Sequence, residues 1–372
     1  MDQKELLSLI ALQHISGIGN ITAKRLVEHM GSATALFEQR TELPNIIPEV
    51  RPALVDALNS PSAHRRAEQE LDFIDKHHIS CLGYHDEGYP SRLRECDDAP
   101  ILLFYRGNTN LNPRRVVSIV GTRKCTDYGR DLCDSFVRDL ALQCPDVLIV
   151  SGLAYGIDVC AHRAALNHSL ATVGVLAHGL DRIYPSVHRN IAARMTTCGG
   201  LLTEYVSFTD PERQNFLQRN RIVAGMSDAT LVVESATKGG ALVTANIANS
   251  YGRDCFAFPG RTVDNASAGC HRLIRQHQAA LITSADDFIE AMMWDAMASG
   301  HPEAIQRTLF PELSDEESRV VEVLRQYVDG LHINNLVVEA DIPINRLSAI
   351  LFELELRGIV RPSAGSMYRF IG

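Results

Sequence analysis

Residues 116–130, VVSIVGTRKCTDYGR, decide how this chain is read. The run VVSIV has the uninterrupted apolar character of a strand buried on both faces, and it stops at Gly121. Thr122 and Arg123 follow, and a helical pattern begins a few residues later. Strand, glycine, helix is the layout of a phosphate-binding turn. However, the second and third glycines of the dinucleotide fingerprint Gly-x-Gly-x-x-Gly are absent, and a hydroxyl and a guanidinium stand nearby instead. The turn therefore predicts an anion site of some other kind.

The same pattern repeats downstream. DVLIVSG (146–152), ATVGVLA (171–177), ATLVVES (229–235) and CFAFPG (255–260) are short runs rich in apolar residues. Helical segments such as GRDLCDSFVRDLAL (129–142) and IDVCAHRAALNH (157–168) lie between them. Apolar strands alternating with helices predict an α/β core, a parallel sheet covered on both faces. We place it at 76–290. Residues 1–75 read as a helical domain, in which GIGNITAKRLVEHMG (17–31) has a helix-hairpin-helix (SAM-like) pattern. Hairpin amides there can face a phosphate, although a tight turn in a helical bundle gives the same pattern, and only Lys24 and Arg25 follow as cations. Residues 291–313 break the periodicity and read as a linker. Residues 314–372 carry three helical patterns and a hairpin, the outline of a winged helix. Its first helix opens with the Ser314/Glu317 capping pair. The helix that would enter a groove carries Glu353 and Glu355 against Arg346 and Arg357, which suits a protein contact as well as DNA.

Composition narrows the classes. At 372 residues, 45% hydrophobic and 22% charged, the chain is an ordinary multidomain globular protein. It has no apolar run of about 18 residues, and MDQKELLSLIAL does not read as a signal peptide, so a cytoplasmic protein without a membrane partner is expected. The nine cysteines include no CxxC pair, and neither metal nor cofactor is expected. Net charge is −9, yet Arg114, Arg115, Arg123, Lys124 and Arg130 gather around the opening stretch. Total charge does not exclude a local basic site on an acidic protein.

In an open parallel sheet, ligands bind beyond the carboxyl ends of the strands, so loops distant in sequence must converge there. Three such loops stand out: Gly121-Thr122-Arg123; SGLAYGID (151–158), with Gly152; and ESATKGGALVTA (234–245), with Lys238, Gly239 and Gly240 before a helix. Glycines and helix N-termini offer amides to oxyanions, and Arg123 and Lys238 add full charges. RQNFLQRNRIVAGMSDA (213–229) brings Arg213, Arg219, Asn220 and Arg221 to a neighbouring helix. Among His162, His178, Asp158, Asp181, Glu204 and Glu234, only Glu234 stands at a strand end where acid–base work is suited. Motifs of nucleophilic, zinc or P-loop catalysis are missing, so binding is the expected role.

Several long stretches resemble the DNA-processing protein A family (DprA, also called Smf). They are YPSRLRECDDAPILLFYRGN (89–108), SIVGTR (118–123), SGLAYGIDVCAHRAAL (151–166), GLDRIYP (179–185), RNRIVAGMSDATLVVE (219–234), KGGALVTA (238–245) and FAFPG to SAGCHRLI (256–274). The resemblance implies an extended Rossmann core that binds single-stranded DNA. It also implies homodimerisation and loading of the RecA recombinase during natural transformation. The family's phosphate-contacting Gly-Ser/Thr-Arg falls on Gly121, Thr122 and Arg123. Its Lys-Ser-Gly-Ser falls on Lys238, Gly239, Gly240 and Ala241, and its Arg-Asn-Arg on Arg219, Asn220 and Arg221. Leu217, Ala241 and His271 depart from the family pattern, and Ala241 removes one hydroxyl donor. An alternative is a nucleotide-processing enzyme resembling the phosphoribohydrolases, with Glu234 as acid or base, but their Pro-Gly-Gly-x-Gly-Thr run is absent.

Overall fold

In the computed structural model, residues 1–15, 17–47, 52–294, 313–327, 330–363 and 365–371 are described. The chain divides into two compact units, Met1–Met297 and Ala298–Gly372. Most of the linker expected at 291–313 lies outside the described residues. Its first residues close the first unit, where Trp294 packs edge-on against Phe288 with ring centroids 5.3 Å apart.

The first unit opens with helices α1 (Gln3–Gln13), α2 (Asn20–Met30), α3 (Ala33–Glu38), α4 (Leu43–Ile46), α5 (Pro52–Leu58) and α6 (Pro61–His77). Asp2 caps α1 by accepting the Glu5 amide, and α2 stops at Gly31 in the left-handed region. Leu9, Ile10, Leu12, Leu26 and Leu36 form one buried cluster with Ile101, Leu102 and Phe104. These helices are thereby packed onto an edge of the sheet. A polar tie reinforces the apolar one: buried Glu70 of α6 accepts the Ser207 amide at 2.9 Å and pairs with Arg66.

Strands β1 (Ser80–Gly83), β2 (Leu102–Gly107), β3 (Val116–Val120), β4 (Leu148–Ser151), β5 (Ala171–Val175), β6 (Gly199–Thr203), β7 (Ala229–Val232), β8 (Asp254–Ala257) and β9 (Ala280–Leu281) form a sheet. Among the described residues it has nine strands in the order β1-β2-β6-β5-β4-β3-β7-β8-β9. From β6 to β9 every pairing is parallel, and β2 and β1 add an antiparallel margin. Helices α7 (Ser91–Arg94), α8 (Asp127–Gln143), α9 (Ile157–Asn167), α10 (Arg189–Met195), α11 (Arg213–Gly225), α12 (Gly240–Ser250), α13 (Ala268–Arg275) and α14 (Ala285–Ala291) supply the connections. Phe136, Ala161 and Phe288 of α8, α9 and α14 cover one face with Val117, Ile119 and Ile149. Ile222, Leu242 and Leu273 of α11, α12 and α13 cover the other with Val116, Val120 and Val150. Alternate residues of β3 thus face opposite layers, as the strand period requires. This is the doubly covered parallel sheet expected from the apolar runs.

The second unit is a winged helix: α15 (Asp315–Arg325), β10 (Leu331–His332), α16 (Ile333–Ala340), α17 (Ile344–Leu356) and the hairpin β11 (Val360–Ser363) and β12 (Met367–Phe370). Ser314 and Glu317 form the full reciprocal capping box at the start of α15. Val320, Leu324, Leu336, Leu347, Leu351 and Leu354 make its core. Arg346 is paired with Glu316, and Arg357 with Glu317 and Glu353. No helix of the described residues is long and apolar enough to cross a membrane.

Candidate functional site

The chain leaves β3 for α8 on one face of the sheet, and leaves the adjacent β7 for α12 on the other. Neighbouring connections therefore part between β3 and β7, where a doubly wound sheet opens a crevice. A cavity of 360 Å³ lies there. Gly121, Thr122, Arg123, Gly152, Arg219, Asn220, Lys238, Gly239 and Gly240 all line it, together with Asp158, Phe216, Ser235, Ala241 and Thr244.

Its charge comes from three elements. Arg123 and Lys238 are exposed, and among the described residues neither forms an ion pair with a carboxylate. The Arg123 guanidinium lies 5.1 Å from the Phe216 ring centroid, which orients it without neutralising it. Helix α12 begins at Gly240, and the Gly239 cap has no side chain to satisfy the first-turn amides. Space around Gly240 is open. An uncapped helix N-terminus with two unneutralised cations in the same cavity favours an anion.

The other glycines serve a different purpose. Gly156 has φ +78°, and a Cβ there would stand 2.1 Å from the Thr122 carbonyl oxygen. It lets two loops touch backbone to backbone, and the Ile157 amide donates to that same oxygen at 3.2 Å. The Thr122 amide is likewise spent within the protein, on the Glu234 carbonyl at 2.7 Å. These two amides are therefore unavailable to a ligand, and Gly156 permits close packing, whereas the start of α12 carries no side-chain cap.

The arginines of α11 divide by helical position, since residues two apart point to opposite sides. Arg219 reaches into the cavity wall but is buried. Its Nη1 donates to the Gly152 carbonyl at 2.6 Å and to the Val175 carbonyl. Burial pulls its guanidinium below the ordinary value, and nearby Asp158 opposes that shift. Asp158 is itself pushed up by burial and pulled back by Arg219 and by hydrogen bonds from the Ala154 backbone. Arg221 does not join the cavity. It pairs with Glu204 and donates to the Asp98 carbonyl at 2.6 Å, lining a separate cavity beside α2. Asn20 at the start of α2 donates to the same Glu204 carboxylate at 3.1 Å, so the N-terminal end of α2 faces this pair.

The remaining candidate acid–base groups are occupied elsewhere. The Glu234 carboxylate accepts the Thr126 amide at 2.9 Å and the Thr126 hydroxyl, fixing the start of α8, and it does not line the cavity. Asp181 pairs with Arg182 and accepts the Phe208 amide at 2.6 Å. His162 is buried against Thr172 at 2.7 Å, with its titration pushed down to about 3 by that burial. His178 meets the Gly179 carbonyl at 2.8 Å and is also pushed down by burial. The sequence reading did not single out Phe216, Ser235 or Thr244. Phe216 was detectable, standing three residues before Arg219 and four before Asn220 on one helical face.

Known protein families match both units of the chain. The family model of DNA recombination-mediator protein A matches residues 80–293, and the DprA winged helix domain model matches 306–366. A putative DNA processing protein DprA of Mycobacterium tuberculosis is 43% identical over 205 residues. That match covers 55% of this chain and spans about half, 52%, of the relative's own length. The X-ray structure of DNA processing protein A from Streptococcus pneumoniae aligns with TM-score 0.57 and 32% identity, covering 74% of this chain and 98% of that one. DNA processing protein A from Helicobacter pylori, whose structure concerns its single-stranded DNA binding mode, aligns with TM-score 0.53 and 30% identity, covering 59% and 97%. With its family model spanning the whole parallel sheet and a second model on the winged helix, the chain belongs to the DNA recombination-mediator protein A family.

Proposed function

We propose that this protein binds single-stranded DNA by its phosphates at the β3/β7 crevice, and there hands the strand to a RecA recombinase during natural transformation. The observation that carries the reading is the uncapped N-terminus of α12, flanked by Lys238 and Arg123 in one cavity. Single strands present successive phosphates and unpaired bases, and such a groove follows the backbone without reading sequence. The Helicobacter pylori relative's single-stranded DNA binding supports the ligand. Gly121, Thr122, Gly152, Gly239, Gly240 and Asn220 shape the pocket in this reading, and Arg219 supports its wall. Binding in this reading requires no catalytic carboxylate, in keeping with Glu234 being turned to Thr126. A homodimer in the cytoplasm would place two such pockets on one strand and raise affinity through effective concentration.

Binding measured over a salt series tests the pocket. Each of Arg123→Ala and Lys238→Ala is expected to weaken binding and to flatten the log–log salt slope by about 0.7, the value per neutralised phosphate on a single strand. Unchanged slopes in both variants refute the assignment. Strand exchange by RecA over single-strand-binding protein, with and without this chain, tests the loading step. No acceleration removes that step and leaves binding standing.

A further inference from the structure

The cavity accounts for a phosphate and leaves the rings beside it without a role. Phe216 lines the cavity under Arg123. Next to it stands Tyr184, ring centroids 5.9 Å apart and planes inclined by 56°, with 47% of its surface exposed. Tyr184 is held by its backbone: its amide donates to Nε2 of buried His178 at 3.2 Å. Tyr155, 48% exposed, directly follows Ala154, which lines the cavity. Its ring packs edge-on against buried His188 at 5.3 Å, and His188 Nδ1 bonds the Leu153 carbonyl at 2.9 Å. The two tyrosines come from the loops after β5 and β4, at the same carboxyl edge of the sheet as the cavity. The Tyr184 ring thus rests on Phe216 and the Tyr155 ring on His188, with about half of each residue exposed.

We propose that Tyr184 and Tyr155 form a stacking rim that receives the bases flanking the phosphate held at Arg123, Lys238 and α12. This rests on the single-stranded DNA reading and adds a base-binding part to it. The occupant follows from continuity: Phe216 touches both the Arg123 guanidinium and Tyr184, so the apolar rim begins where the cation pocket ends. A ligand that places a flat π face beside a phosphate matches both, and every nucleobase does so regardless of its identity. A double-stranded segment keeps its bases stacked inside the helix and cannot use the rim, so the rim favours single strands.

The test compares the full-length protein on an oligothymidylate and on an abasic strand of equal length. Wild type is expected to bind the thymidine strand about tenfold more tightly, the scale of base–aromatic stacking. Tyr184→Ala with Tyr155→Ala removes that preference and keeps the affinity for the abasic strand, and Tyr184→Phe retains the preference because the ring remains. Equal binding of both strands by wild type overturns the rim and leaves the phosphate pocket intact. A double variant that loses both strands in equal measure also overturns it, since the rings then serve the fold. Failure of wild type to bind either strand overturns the DNA reading itself.

Discussion

Replacing Arg219 with alanine separates the arginines that serve the fold from those that serve a ligand. The substitution removes a buried guanidinium that bridges the loop after β4 and the end of β5, at the Gly152 and Val175 carbonyls. Hydrogen bonds from a charged donor contribute about 1.5–3 kcal/mol each, and removing one partner from a buried charged arrangement costs about 3–5 kcal/mol in total. The higher part of that range applies here, because buried Asp158 also loses the cation that favours its ionised form. An unfolding entropy of about 2.1 cal/mol/K per residue over the first unit gives roughly 0.6 kcal/mol/K, so about 4–5 kcal/mol should lower Tm by roughly 7–8 °C. Arg123→Ala, at an exposed position, should shift Tm by less than about 1 °C. Calorimetry supplies the first readout, and a salt titration of single-stranded DNA binding, well below the melting range, supplies the second. Arg219→Ala should lower Tm and keep the wild-type salt slope, whereas Arg123→Ala should do the reverse. Wild-type melting of Arg219→Ala combined with a flattened slope refutes the assignment, because Arg219 would then be contacting phosphate.

His162 and Gly156 give two further outcomes. His162 titrates near 3 in the folded state against an ordinary 6.5, so the unfolded chain binds its proton first as pH falls. Its contribution is present above about pH 6.5 and is lost progressively below, by about 2 kcal/mol at pH 5. Urea denaturation at pH 7 and pH 5 should show that loss in wild type, and His162→Gln should reduce it. Gly156→Ala combines a positive φ with a Cβ 2.1 Å from the Thr122 oxygen. It should destabilise by more than about 2 kcal/mol and lower DNA affinity together, read by urea midpoint and by binding. A Gly156→Ala protein as stable as wild type would show that the two loops part without cost.

The interior parallel strands were legible because burial on both faces leaves apolar runs in the sequence. VVSIV became β3 with matching ends. Strand β6, where the parallel run meets the antiparallel margin, was not legible. It starts with Gly199 and Gly200, which as a sequence resemble a turn. A Cβ at Gly200 would stand 2.3 Å from the Tyr105 ring, so the glycine is there to admit a neighbouring aromatic. That information resides in β2 and not in the local sequence. At the site, convergence of the three loops was legible from topology alone, whereas the fate of each cation was not. Arg219, Arg221 and Arg123 have the same formal charge, and only three-dimensional neighbours show that two are consumed internally. Period could have separated Arg219 from Arg221, which stand about 200° apart on a helix. The contrast in burial between Arg123 and Arg219 required the sheet.

The stitching of the cavity walls also sets the thermodynamics of any encounter. The Thr122 amide on the Glu234 carbonyl, the Ile157 amide on the Thr122 carbonyl and the Gly269 amide on the Ser235 carbonyl join loops from different strands before a ligand arrives. A site tied in this way loses little conformational entropy when occupied. Calorimetry of association should then show a heat-capacity change that follows the number of bases supplied and approaches zero for a bare phosphate chain, because no segment of the walls has to fold around it.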